Sequence, residues 1–236
     1  FVKVEHRQPS SRWYSGSGIY RNVELIVRNK LFIEDDETKI TDDFIDDNYA
    51  KKNVSFLINN KYATDKSFSI KYSVINKDNE ELLLEKTEEI NIEKHSKKIV
   101  ESKFEIDDCN LWSIENPYLY YLKAELISEG KIIDIQITRF GFRYIDWDSE
   151  EGFFLNGKYI KFKGVCLHHD NGALGAIQDT PSEIRKLKKL KDMGVNAIRT
   201  SHNPQSKEFI RLCDEMGFLV IEEAFDTWSG NRKKEF

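Results

Sequence analysis

Gly164-Val165-Cys166-Leu167-His168-His169-Asp170, Val195-Asn196-Ala197-Ile198-Arg199-Thr200-Ser201-His202-Asn203 and Phe218-Leu219-Val220-Ile221-Glu222-Glu223 decide the fold of this chain. Each is a short apolar run that ends in polar residues. Strands are predicted over 162–167, 195–200 and 218–221. The third is apolar on both faces, as strands are in parallel sheets covered by helices. The segments between them read as helices. Thr180-Pro181-Ser182-Glu183 has the form of a capping box with proline at the first helical position. Ile184, Leu187, Leu190 and Met193 make its apolar stripe, and Gly194 ends it. A second helix is predicted over Ser206–Met216, with Phe209, Leu212, Cys213 and Met216 inside and Gly217 closing it. The order β-α-β-α-β opens either an α/β barrel or an open α/β sheet.

In a parallel α/β fold every strand points its C-terminal end at the same face, where α/β barrels keep their active sites. His168-His169-Asp170 follow the first strand and Ser201-His202-Asn203 the second, while Glu222, Glu223 and Asp226 close the third. The pattern places three separate stretches of polar residues on one rim. Neighbouring strand residues face opposite sides, so His168 with Asp170 is expected to face the site, with His169 in support. A zinc centre is the rival chemistry for such residues, but neither His-x-His nor HExxH spacing occurs.

Upstream, Phe153 to Lys161 reads as a hairpin around Asn156-Gly157. Short strands are predicted over 54–58, 68–75, 81–85, 98–104, 118–127 and 131–140, separated by Asn- and Gly-containing turns. About seven antiparallel strands in roughly 90 residues imply an immunoglobulin-like sandwich, without the cysteine pair of an antibody domain. The stretch 34–53, with Asp35-Asp36-Glu37, Asp42-Asp43 and Asp46-Asp47, is expected to be an exposed loop. Residues 1–6 and 23–27 read as strands on either side of the aromatic glycine turn Trp13–Arg21. They are too short to fold alone and look like the last strands of a β domain that begins upstream.

Composition narrows the function classes. With 36 basic and 41 acidic residues the formal net charge is -5, which gives no electrostatic footprint for nucleic acid or an anionic membrane. The basic cluster Arg185–Lys191 falls on the first helix and reads as its solvated face. Cys109, Cys166 and Cys213 form no CxxC and are expected to be reduced and buried, as in a reducing compartment.

Five motifs together resemble glycoside hydrolase family 2, in particular its β-galactosidases. Gly164 to Asp170 with the loop 172–176 is similar to the first barrel strand of that family, Asn196 to Pro204 to the second, and Leu212 to Phe218 with Glu222 to Trp228 to the third. Leu111-Trp112-Ser113 with Asn116-Pro117-Tyr118-Leu119-Tyr120 resembles the signature of its sandwich domain. Trp13 to Arg21 resembles the end of its sugar-binding jelly roll. The resemblance implies jelly-roll strands over 1–29, an immunoglobulin-like β-sandwich over 30–145, and the first three β/α units of a TIM barrel over 146–236.

It also implies retaining hydrolysis of terminal β-D-galactosides by two carboxylates about 5 Å apart. In the family these are glutamates that follow barrel strands four and seven, so they are expected beyond Phe236, and neither Glu222 nor Glu223 is expected to be one of them. The fragment itself is expected to be inactive. By the same resemblance His168, Asp170, His202, Asn203, Glu223 and Asp226 bind substrate, and Trp228 offers an apolar face or packs. No cofactor is expected. The family's best-known branch has a magnesium-binding Glu and His where this chain has Phe225-Asp226-Thr227-Trp228, so magnesium or sodium is not supported by these residues. The expected partner is a β-galactoside or related oligosaccharide, with no nucleic acid and no membrane. The parent chain is a candidate homo-oligomer, and the expected compartment is the cytoplasm, with a removed leader as the alternative. The alternatives in function are a β-glucuronidase or β-mannosidase of the same family, or a non-catalytic carbohydrate-binding module.

Overall fold

The computed structural model describes residue 3, residues 18–46 and residues 48–224. These residues form two compact units. One holds residues 26–160, and the other joins the described residues of 1–25 to those from 161 onward.

In chain order, the strands of the first unit are Leu31–Ile33 (β1), Lys39–Ile45 (β2), Tyr49–Asn60 (β3), Lys66–Asn76 (β4), Leu82–Ile92 (β5), Ser96–Asp107 (β6), Tyr120–Ser128 (β7), Lys131–Phe140 (β8), Ile145–Asp148 (β9), Gly152–Leu155 (β10) and Lys158–Tyr159 (β11). One sheet has β3 at its centre, with β6 along one edge and β1 and β2 sharing the other. The facing sheet has the order β5-β4-β7-β8. All pairs are antiparallel, and β5 to β6 crosses between sheets, so the two sheets make an immunoglobulin-like sandwich.

Alternation drives this packing. Ala50, Val54, Phe56 and Ile58 of β3 point inward against Ile70, Tyr72 and Val74 of β4 and Leu122, Ala124 and Leu126 of β7. Burying one such side chain fully contributes about 1.5–3 kcal/mol. Tyr72 closes the sandwich from within, its hydroxyl 2.6 Å from Ser102 Oγ on the other sheet. Tyr120, at the start of β7, accepts from Asn110 N at 2.8 Å, ten residues upstream, and burial pushes its phenol up to about 12. This is the corner tyrosine of immunoglobulin-like sandwiches in geometry.

The strand predicted over 131–140 is β8 residue for residue, and those over 54–58, 68–75 and 98–104 lie inside β3, β4 and β6. The expected acidic loop over 34–53 is corrected. It holds β2 and the start of β3, because its acids face lysines across the sheet instead of solvent alone. Asp42 pairs with Lys52, and Asp43 lies 3.9 Å from Lys51 and 3.5 Å from Lys103. Cross-strand pairs of this kind stabilise a polar strand face. Val23–Val27 is also corrected, since no strand forms there and Val23, Leu25 and Val27 are exposed. The expected strand over 1–6 and the aromatics Trp13 and Tyr14 lie outside the described residues, Lys3 excepted.

The predicted hairpin is present as β10 and β11, with Asn156 and Gly157 at φ 51° and 71°. Two consecutive left-handed residues are what a two-residue type I′ turn demands. This hairpin pairs with β9 and belongs with the sandwich unit, where Asn156 Nδ2 donates to Trp112 O at 3.0 Å. The structural division thus falls at 160/161, whereas the sequence reading divides at 145/146.

The second unit holds three parallel strands, Gly164–Leu167 (β12), Ala197–Thr200 (β13) and Leu219–Glu222 (β14), in sequential order. The helices between them are Thr180–Asp192 (α1) and Lys207–Met216 (α2). Leu187 of α1 and Phe209, Leu212 and Cys213 of α2 pack on Val165, Ile198 and Val220 of the sheet. Ser206 caps α2 by accepting from Phe209 N, and Gly217 ends it at φ 71°. The expected capping box on α1 shifts by one residue. Asp179 is the cap and accepts from Ser182 N at 3.0 Å, so Glu183 lies too far along to reach back and binds Asn171 and Lys186 instead. Met193 leaves the predicted apolar stripe and is 75% exposed, because it is the C-cap, where the helical period ends.

Candidate functional site

The sheet β12-β13-β14 has two unlike faces. One lies under the helices. On the other, Cys166, Arg199 and Ile221 stand side by side in register and are exposed. The expectation of three buried cysteines therefore holds for Cys109 and Cys213 but fails for Cys166. Its place on β12 points it away from the helices, toward Arg199 Nη1 at 3.8 Å.

At the C-terminal rim this exposed face ends in a connected group. Glu223 receives Nε of Arg199 on one carboxylate oxygen and Nδ1 of His202 on the other, the latter at 2.7 Å. The ring of His202 in turn lies edge-on to His168, with centroids 5.7 Å apart. Glu223 N donates to the buried Thr200 Oγ1 at 2.9 Å, which fixes the carboxylate to the end of β13. The Ser201–His202 peptide is cis. His168, His202 and Glu223, one from the end of each strand, are thus brought together as the strand pattern predicts.

A carboxylate only accepts, so His202 donates through Nδ1–H. Arg199 Nη2 lies 3.5 Å from the same nitrogen, and since a guanidinium also only donates, the 2.7 Å contact to Glu223 decides the tautomer. Burial works against charge on Glu223, yet the hydrogen bonds from His202 and Arg199 outweigh it and hold its pKa below the ordinary carboxylate value. Glu223 is therefore a fixed anion. Glu222 diverges from it and accepts from Gln205 N at 3.2 Å, as adjacent residues on a strand must.

The remaining expected residues separate. Asp170 stays tied to His168 through the backbone, its N donating to the His168 carbonyl at 2.9 Å, while its side chain turns onto the following loop. Its Oδ1 accepts from Gly172 N at 2.8 Å, an Asx turn at the start of the following loop, and it lines a crevice with His169, Asn171, Glu183 and Tyr20. His169 points into that crevice, away from the rim group. Burial, then the Arg21 guanidinium, lowers its pKa, while the Pro204 carbonyl and Glu183 pull the other way. Asn203 is exposed on the turn after His202. Asp226 and Trp228 lie outside the described residues.

Arg199 was not among the expected site residues. Its signal was a guanidinium inside the apolar strand Ala-Ile-Arg-Thr, facing the side that becomes a barrel interior. Arg21 was likewise missed, since no spacing rule connects it to residues 168–204.

The model for glycosyl hydrolases family 2 matches residues 31–143, and that for the TIM barrel domain of the same family matches residues 149–233. The chain belongs to glycosyl hydrolase family 2. The barrel match also decides between the two α/β folds left open by the pattern: β12 to β14 open a TIM barrel. Among family 2 relatives, the β-galactosidase BoGH2A of Bacteroides ovatus is 37% identical over 99% of this chain and 27% of its own length. A β-glucuronidase of Streptococcus agalactiae is 32% identical over 89% of this chain and 32% of its own. A solved family 2 member from Bacteroides cellulosilyticus superposes with a TM-score of 0.88 at 39% identity, over 92% of this chain and 28% of that one. The chain spans about a quarter to a third of the length of these family 2 proteins.

Family 2 membership raises the question of magnesium, which one branch binds just after the third strand. That segment, residues 225–228, lies outside the described residues. Among the described residues no three His, Cys, Asp or Glu side chains gather into a metal-binding group. Among the described residues, Glu223 is held by the Arg199 guanidinium, which a cation at that carboxylate would have to displace. No helix among the described residues is long and apolar enough to cross a membrane.

Proposed function

We propose that this chain is the substrate-positioning part of a retaining β-glycosidase that acts on terminal β-D-galactosides. The reading rests on one observation: His168, His202 and Glu223, from three successive strands, meet at one rim with Arg199. In this reading the imidazoles of His168 and His202 hydrogen-bond the hydroxyls of the sugar to be cleaved. Glu223 keeps His202 oriented and accepts from a further hydroxyl. Such contacts accelerate hydrolysis when they tighten as charge develops at the anomeric centre. Asp170, Asn203 and Asp226 complete the proposed substrate set, with Asp170 at the crevice next to the rim.

Glu223 is not the general acid in this scheme. An acid that protonates a leaving oxygen needs a raised pKa, and the pKa of Glu223 is lowered. The lowered pKa excludes only the acid role; both the acid/base and the nucleophile are assigned, by family resemblance, to glutamates that follow barrel strands four and seven, and the isolated 236 residues are expected to be inactive. No step is routed through a metal. The proposed organisation is the end of a jelly-roll domain over 1–29, in which 23–27 forms no strand, the sandwich over 30–145 and the barrel start over 146–236. The proposed compartment is the cytoplasm, supported by three cysteines with no disulfide between them.

A β-glucuronidase is the second reading, carried by the relatives of that name. It needs a cation for the sugar carboxylate, and the charge of Arg199 is already met by Glu223. The test is the parent protein assayed on chromogenic β-galactoside and β-glucuronide. A kcat/KM higher for the galactoside by 100-fold or more is expected. A preference for the glucuronide transfers the assignment to the second reading, and turnover of neither removes both.

A further inference from the structure

Tyr20 and Arg21, in the aromatic glycine turn, take no part in the rim group, yet they dock on the loops that carry it. Gln178 N donates to Tyr20 O at 3.1 Å, which seats the segment on the loop after β12. The Tyr20 ring meets His169 edge-on at 5.9 Å, and the Arg21 guanidinium lies 5.2 Å from the Tyr20 ring centre. From there Arg21 Nη2 reaches two loops at once. It donates to the Pro204 carbonyl in the loop after β13, and it lies 3.3 Å from His169 Nε2 in the loop after β12.

A guanidinium has no acceptor, so His169 Nε2 accepts and the ring is neutral. The lowered pKa of His169, from burial and then from Arg21, agrees with this. His169 follows His168 directly, and Pro204 comes two residues after His202. One cation thus links a residue next to His168 with one two positions past His202, alongside a hydrogen bond between His169 and the Pro204 carbonyl.

We propose that Arg21 is a positioning residue for the site: its guanidinium clamps the loop after β12 to the loop after β13 through His169 and the Pro204 carbonyl, and so sets the spacing of His168 and His202. The inference rests on the glycosidase reading for its effect on turnover, but the clamp itself does not. Both contacts run through Nη2, whose two N–H groups are held at a fixed angle in the guanidinium plane, an orientation that a freely rotating ammonium does not fix. Misplacing substrate-binding groups by about 1 Å costs about 100-fold in rate.

The experiment uses the full-length parent with Arg21→Ala and Arg21→Lys. Hydrogen exchange should rise together in residues 168–178 and 201–206 of Arg21→Ala, with the sandwich strands unchanged. The kcat/KM should fall about 10- to 100-fold, and guanidinium added to the assay should restore part of the loss, as it would not for a general loss of fold. Arg21→Lys should retain the deficit, and it carries the comparison if Arg21→Ala does not fold. Unchanged exchange in either loop overturns the clamp. Activity within twofold of an active wild type overturns the positioning role. Coupled exchange in an enzyme that cleaves no β-glycoside supports the clamp and refutes the glycosidase reading instead.

Discussion

The sandwich and the barrel opening treat their polar residues in opposite ways. In the sandwich, buried polar groups face internal partners: Glu125, 3% exposed, receives Lys123 at 2.8 Å and Lys71 at 3.0 Å, and Tyr72 and Tyr120 find partners within the unit. Each sheet buries one apolar face in a common core, although Ile99, Ile135 and Ile137 lie outward and exposed. In the barrel opening, one sheet face is packed under α1 and α2, while the other carries Cys166, Arg199 and Ile221 in the open and ends in a charged rim. The contrast follows from completeness: the sandwich closes its own core, whereas the open face of β12 to β14 is the side that a full TIM barrel encloses.

Substitutions can break that contrast. The largest effect is expected at Phe56, fully buried between the sheets. Phe56→Ala should cost about 3–5 kcal/mol of local stability, read as lost amide protection in β3, β4 and β6 of the parent protein, with β12 to β14 unaffected. Equal loss in both units would mean that they unfold as one. Tyr120→Phe removes the acceptor of Asn110 N and should cost about 1–3 kcal/mol, again confined to the sandwich. A smaller effect is expected in the other unit from pH. Burial and the charge of Arg21 depress the pKa of His169 below its ordinary 6.5. The stabilisation from keeping that ring neutral is present above about pH 6.5 and is lost as pH falls through the lower folded value. Protection of residues 168–178 should therefore decline as pH falls below about 6.5, and His169→Gln should flatten the decline.

The two units also differed in how legible they were. Helices and parallel strands announced themselves through their apolar period, and α2 begins one residue after its predicted start, Ser206, which caps it. The capping box on α1 failed by one residue because Asp179 and Thr180 are both good caps, and only the Ser182 N bond separates them. In the sandwich, β2 was hidden because a bulge between Asp42 and Phe44 breaks the two-residue period between Ile40 and Ile45, and its acids find their lysine partners on other strands. The rim group was readable because strand ends converge by topology alone. The divergence of Asp170 from His168 was not, since the turn onto Gly172 reorients the side chain after the strand has ended. Nor was Arg21, whose partners are 148 and 183 residues away.

The most direct test of the rim is Glu223→Gln in the parent protein. Gln keeps the shape but removes the charge that orients His202 and balances Arg199. The account predicts that kcat/KM on a β-galactoside falls about 10²- to 10³-fold with amide protection of the sandwich unchanged. Activity within threefold of wild type would contradict it.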